Sequence, residues 1–310
     1  MYTIFRTDDE RIHELNEIVP DSWIHMVQPT AEEIREVAGA LQMEEDFLWA
    51  ALDEEERSRL EVENGQVMIL VDTPIVETDG NTYVYSTLPL AVILTKDNIV
   101  TVTLKDIQLL KYFYDLHIMR FSTKKRNRFI LQILYRNATM YLSYLRQIDK
   151  ASNRVQGELH QTMKNKELLQ MLQLEKSLVY ISTSLKGNEI VMEKLLRMSF
   201  IKAYPDDEDL LEDVIIENKQ AIEMSQIYTD ILASMMDAYS SIISNNLNAV
   251  MKLLTTITLV MTIPTIIASL WGMNVFVPFQ TNPYGFAIVM GIIVLCSLLC
   301  AVIMWRKKMF

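Results

Sequence analysis

The chain has 310 residues, half of them hydrophobic and 22% charged, with a net charge of −11 and a mean hydropathy of +0.12. Those averages conceal a division. All 40 Asp and Glu residues lie before position 251, so residues 1–250 carry a net charge of −15, while 251–310 hold only Lys252, Arg306, Lys307 and Lys308. Such a composition excludes a nucleic-acid partner, because neutralising phosphates needs clustered Lys and Arg, and it points to cations instead.

In chain order, the N-terminal MYTIFRTDDE has neither a basic nor an apolar leader region, which predicts no cleaved signal and a body that stays in the cytoplasm. Residues 1–120 read as a mixed α and β domain. Strands are predicted over Ser22–Val27, Gln66–Glu77 and Thr82–Leu88, and over the pair Leu90–Thr95 and Ile99–Leu104 turned by Lys96-Asp97-Asn98. Helices are predicted over Thr30–Leu41, where Thr30 and Glu33 fit a capping box, and over Glu44–Leu52. Residues 121–250 read as a long-helix stalk, with helices over 123–150 and roughly 152–200. A third helix starts at Pro205, where Asp206-Asp207-Glu208-Asp209 complement the positive end of its dipole, and nothing but Pro264 interrupts it before Trp271.

The run from Leu253 to Trp305 contains no charge over 53 residues, enough for two bilayer crossings of about 20 residues each. The spans are placed at 251–271 and 286–305, joined by a 272–285 loop containing Pro278, Asn282 and Pro283 and followed by a basic tail at 306–310. Lys252 and Arg306-Lys307-Lys308 flank the hairpin, which puts both termini in the cytoplasm and makes this a multi-pass cell-membrane protein. The first span carries a stripe. Asn248, Met251, Thr255, Thr258, Thr262, Thr265 and Ser269 recur at alternating spacings of 3 and 4, one face of a helix. Hydroxyls are costly against lipid, so they face neighbouring helices, their own backbone carbonyls or a watery path. Two spans cannot enclose a pore, so transport requires several copies with the striped helices innermost.

The remaining chemistry is sparse. Asp53-Glu54-Glu55-Glu56 reads as a solvated helix end; acids paired across a subunit boundary would repel one another unless a hard cation such as Mg²⁺ screened them. His13, His25, His117 and His160 have no metal-ligand spacing, and Cys296 and Cys300, four apart in an apolar run, read as packing residues. Neither a nucleophile elbow nor a phosphate loop is present, which points away from an enzyme.

Gly272-Met273-Asn274 stands at the end of the striped span, preceded by Trp271. In a two-span protein with an acidic body and a basic tail, this resembles the CorA family of divalent-cation channels over the whole architecture. The segment Asn248-Ala-Val-Met251-Lys252-Leu-Leu254-Thr also resembles the start of the family's pore helix. The resemblance implies an α+β cytoplasmic domain, long helices and two C-terminal transmembrane helices in a funnel-shaped homopentamer that passes Mg²⁺, and also Co²⁺ and Ni²⁺. It implies that Gly272, Met273 and Asn274 form the selectivity filter, with Gly272 giving the bend that aims Asn274 inward. Thr265 matches a polar ring, Met251 and Leu254 an apolar constriction, and Asn248 its cytoplasmic end. Asp213 matches an intersubunit sensor carboxylate for regulatory Mg²⁺, with Glu63 as its partner. Two features depart from the family: the loop Val275–Gly285 lacks acids, and position 262, often methionine, is Thr. Two alternatives stay open on the same residues, a proton-coupled Zn²⁺ transporter and a membrane-tethered binding module.

Overall fold

The computed structural model describes residues 1–8, 11–79, 82–115, 121–162, 165–198 and 205–307. His117 and Lys308, and the side chain of His160, lie outside the described residues. The chain divides into two compact units, Met1–Ser234 and Met235–Phe310.

Among the described residues the first unit holds seven strands: β1 (Tyr2–Asp8), β2 (Arg11–Leu15), β3 (Trp23–Val27), β4 (Arg59–Glu63), β5 (Gln66–Asp79), β6 (Thr82–Leu94) and β7 (Ile99–Thr103). They form one sheet in the order β2-β1-β3-β7-β6-β5-β4, with β3 and β7 parallel and every other pair antiparallel. Helices α1 (Ala31–Leu41) and α2 (Glu45–Trp49) bring Ile34, Val37, Phe47 and Leu48 into a core with Ile24, Met26, Met68, Leu70, Ala91, Ile93, Val100 and Val102. Alternate residues point to the other face, which explains why β7 is buried at all five positions. Thr30 caps α1 as expected: its hydroxyl accepts from the Glu33 N–H at 3.3 Å, and Glu33 accepts from the Thr30 N–H at 2.8 Å. Helix α3 (Gln108–Tyr114) follows β7.

Trp23 packs on Phe129 at 5.1 Å and donates its indole N–H to Thr101 Oγ1 at 2.8 Å. Beside it His25 is buried, with Nδ1 3.0 Å from the same hydroxyl, and burial pushes its pKa down to about 4 against a smaller opposing pull from Asp106. The unfolded chain therefore takes up this proton first, near pH 6.5, and stability falls as pH drops from 6.5 toward 4, by roughly 3 kcal/mol in all. His25→Gln is expected to flatten that part of the pH profile, read by urea unfolding followed through tryptophan fluorescence.

Thr82–Leu88 and Leu90–Thr95, expected as two strands broken at Pro89, are one strand. The reason lies opposite. Asp72 pairs in register with Pro89, yet its N–H donates to Asn188 Oδ1 at 2.8 Å and its carbonyl accepts from Asn137 and Asn188 Nδ2, both at 2.8 Å. The backbone groups of Asp72 thus face away from Pro89, and the missing proline donor costs the ladder nothing. The Asn188 amide takes over where β4 ends, at the Arg59–Leu70 pair, and Ser58 donates to it at 3.0 Å.

Residues 121–234 share this unit with the sheet. Helix α4 (Arg126–Thr162) runs through the break expected near residue 151, and α5 (Asn165–Leu195) follows it. Ser152 is buried, and neither it nor Gly157 interrupts the helix. Helix α6 (Pro205–Trp271) is continuous for 67 residues, about 100 Å at 1.5 Å rise per residue, and α7 (Gly285–Arg306) follows the loop. Asp206, Asp207 and Glu208 occupy the first turn of α6, and Arg128 reaches the buried Asp207 at 3.3 Å.

Candidate ion pathway

Among the described residues two helices, α6 and α7, are long and apolar enough to cross a membrane. Only 6% of the most apolar stretch of α6 and 11% of that of α7 is buried. Surfaces this apolar and this open require lipid or further copies of the chain around them.

The stripe lies on the exposed surface of α6: Asn248, Met251, Leu254, Thr255, Thr258, Thr262, Thr265 and Ser269 are all exposed. Four of its hydroxyls bond back into their own helix. Thr255 donates to the Met251 carbonyl at 2.7 Å, Thr258 to Leu254 at 2.8 Å, Thr262 to Thr258 at 2.7 Å and Thr265 to Met261 at 3.0 Å. The open possibility of bonding to the backbone is therefore realised, and it has a chemical consequence. A hydroxyl whose proton is committed to a carbonyl offers its surroundings only lone pairs, so the face is a ladder of hydrogen-bond acceptors with no free donor from these four groups. Pro264 removes one backbone donor from this helix, the partner of the Val260 carbonyl, without ending it.

At the end of α6, the Gly272 N–H still bonds the Ala268 carbonyl at 2.9 Å, and Met273 bonds Leu270 at 3.4 Å. The chain leaves the helix at Gly272 without a left-handed backbone. What it supplies is room, since a Cβ there would sit 3.2 Å from the Ala268 carbonyl oxygen. Asn274 follows this turn and is exposed, with no hydrogen-bond partner for its amide among the described residues. The unusual backbone falls later, at Phe279, with φ of 69°. Gly285 is obligatory beside it, because a Cβ would come within 2.3 Å of the Phe279 carbonyl oxygen.

Asp213 on α6 and Glu63 at the end of β4 are both exposed. Among the described residues no three His, Cys, Asp or Glu side chains gather as a metal site within one chain. Cys296 and Cys300 are free thiols on α7.

Comparison with known proteins places this arrangement. The cobalt/magnesium transport protein CorA of Methanocaldococcus jannaschii is 27% identical over 299 residues, covering 92% of this chain and 90% of the relative. The complete structure of the CorA magnesium transporter from the same organism superposes with a TM-score of 0.85 at 24% identity, covering 98% of this chain and 96% of that one. The cytoplasmic domain of ZntB from Vibrio parahaemolyticus shares the fold at 11% identity and a TM-score of 0.60, covering 78% of this chain and 98% of that one. With the family model for the CorA-like Mg²⁺ transporter protein matching residues 22–308, this chain belongs to that family and is a membrane protein.

Proposed function

We propose that the chain is a passive divalent-cation channel, with Mg²⁺ as its main cargo and Co²⁺ and Ni²⁺ as lesser ones, working as a homopentamer and catalysing no reaction. The observation that carries this reading is the acceptor ladder on α6. A hydrated divalent cation presents polarised water hydrogens outward, and acceptor lone pairs are their complement. Mg²⁺ sheds water reluctantly, so a path lined by acceptors lets it travel hydrated, without the cost of stripping its shell.

In this reading the α6 helices of five copies stand innermost, with α7 toward lipid. Gly272, Met273 and Asn274 form the outer filter, where the five Asn274 amide oxygens accept from the ion's water shell. Thr265, Thr262 and Thr258 continue the ladder inward with Ser269 and Thr255, and Met251 and Leu254 close the inner end by excluding water. Asn248 marks the cytoplasmic end, with both termini on that side, as the flanking basic residues favour. A potential of 100 mV favours entry of a divalent ion by about 4.6 kcal/mol, so no chemical energy source is needed. Asp213 and Glu63, exposed and in no cluster of three metal-ligating side chains among the described residues, suit a regulatory Mg²⁺ held between subunits, where its loss frees like charges to separate.

The test is uptake into vesicles holding the purified chain, with and without an imposed proton gradient. Mg²⁺ uptake indifferent to the gradient is expected. Zn²⁺ uptake that rises and falls with the gradient, with Mg²⁺ excluded, would overturn the reading in favour of proton coupling.

A further inference from the structure

We propose that the loop between the two spans seats in the outer headgroup layer of the membrane, and that cations reach the mouth from the anionic lipid surface rather than from loop carboxylates. The second half of this inference rests on the proposed function; of the first, only the side of the membrane does. Three observations carry it.

The loop is built to turn aromatic rings outward. Phe276 is 85% exposed, Tyr284 73% and Phe286 70%, with Phe279 at 48%. Rings facing bulk water are unfavourable, whereas the boundary between hydrocarbon and headgroups is where aromatic side chains concentrate. Phe276, Phe279 and Tyr284 lie within the segment that directly joins two spanning helices and Phe286 lies in the first turn of α7, so their surface is continuous with the lipid-facing one.

The exposure is held by structure. The Trp271 indole N–H donates to the Pro278 carbonyl at 3.1 Å, tying the end of α6 across the loop. Asn282 Oδ1 accepts the Tyr284 N–H at 2.9 Å, and Gln280 Oε1 accepts the Val277 N–H at 3.3 Å. Phe279 takes a left-handed conformation that an aromatic residue rarely adopts, against a glycine that alone fits there. A backbone held in this way does not collapse to bury its rings.

The loop is also electrically silent. From Leu253 to Trp305 there is neither an acid to gather cations nor a base to repel them. The surface potential of anionic lipid is then unopposed at the mouth, and because enrichment depends exponentially on valence, it concentrates a divalent ion about tenfold.

The experiment uses the full chain in vesicles of phosphatidylcholine alone or mixed with phosphatidylglycerol. Below saturation, Mg²⁺ uptake is expected to be about tenfold faster in the anionic vesicles, with the difference lost at saturating Mg²⁺ or high monovalent salt. Val275→Glu with Thr281→Glu is expected to restore fast uptake in neutral lipid. In parallel, an environment-sensitive fluorophore on Phe276→Cys, in a Cys296→Ser, Cys300→Ser background, is expected to be quenched by headgroup-labelled lipid and shielded from aqueous iodide. Free quenching by iodide overturns the seating, and equal uptake in both lipids overturns the supply route. If no lipid supports uptake of any divalent ion, the channel reading fails, while the fluorophore still decides where the loop lies.

Discussion

Asn274→Ala is expected to abolish most Mg²⁺ uptake, by on the order of 100-fold, while leaving the chain folded and assembled. The size is that of a net loss of about one hydrogen bond to a charged group, about 1.5–3 kcal/mol, since water replaces most of the five amide acceptors that the substitution would remove from the proposed pentameric filter. The fold should be indifferent, because the Asn274 amide is exposed and has no partner among the described residues, so truncating it leaves no buried group unsatisfied. Flux into reconstituted vesicles measures the loss, and an unchanged elution volume in detergent shows that assembly survived. Full uptake by Asn274→Ala would show that the hairpin merely tethers the acidic body to the membrane.

The second large effect is expected from Thr258→Val, Thr262→Val and Thr265→Val combined. Valine keeps the shape of threonine and removes the hydroxyl. Each hydroxyl proton is already committed to a carbonyl one turn back, and that carbonyl keeps its own helical bond, so the helix should tolerate the change within about 1 kcal/mol. What disappears is three rungs of acceptors, replaced by a continuous apolar surface that excludes water. Uptake is expected to fall at least about tenfold, a loss of at least about 1.4 kcal/mol from neutral hydrogen bonds worth about 1 kcal/mol each. Were the hydroxyls only contacts between helices, the triple variant would lose thermal stability and conduct normally. The two measurements together separate a conducting role from a packing one.

Much of this was legible in the sequence, and the parts that were not share physical causes. The two apolar helices of the hairpin were legible, because an uncharged run of 53 residues has few other homes. Capping at Thr30 and continuity of the helix from Pro205 to Trp271 were readable from local chemistry. Strand β4 was hidden, because Arg59–Glu63 has the charges of a solvated loop, although Asn64-Gly65 after it is a strong hairpin signal and both residues take positive φ. The other edge strand, β2, is polar and mostly exposed and carries a weak pattern for the same reason, and β1 beside it alternates poorly. Pro89 reads as a strand break because its tolerance depends on Asn137 and Asn188, far away in sequence. For the pathway, spacing alone placed the threonines on one face, whereas the commitment of their protons to the backbone is a matter of rotamer. Helix α6 does end just before Gly272, where crowding by the Ala268 carbonyl favours a glycine, whereas the left-handed residue at Phe279 carries no signal in its sequence.

The central claim, that a membrane potential alone drives hydrated divalent cations along the α6 stripe, is tested most directly by flux under an imposed potassium diffusion potential. Vesicles containing the purified chain, made inside-negative with valinomycin and held at equal pH on both sides, are predicted to accumulate Mg²⁺ at a rate that rises with the potential. Uptake that ignores the potential, or that appears only when a proton gradient is added, would contradict the account.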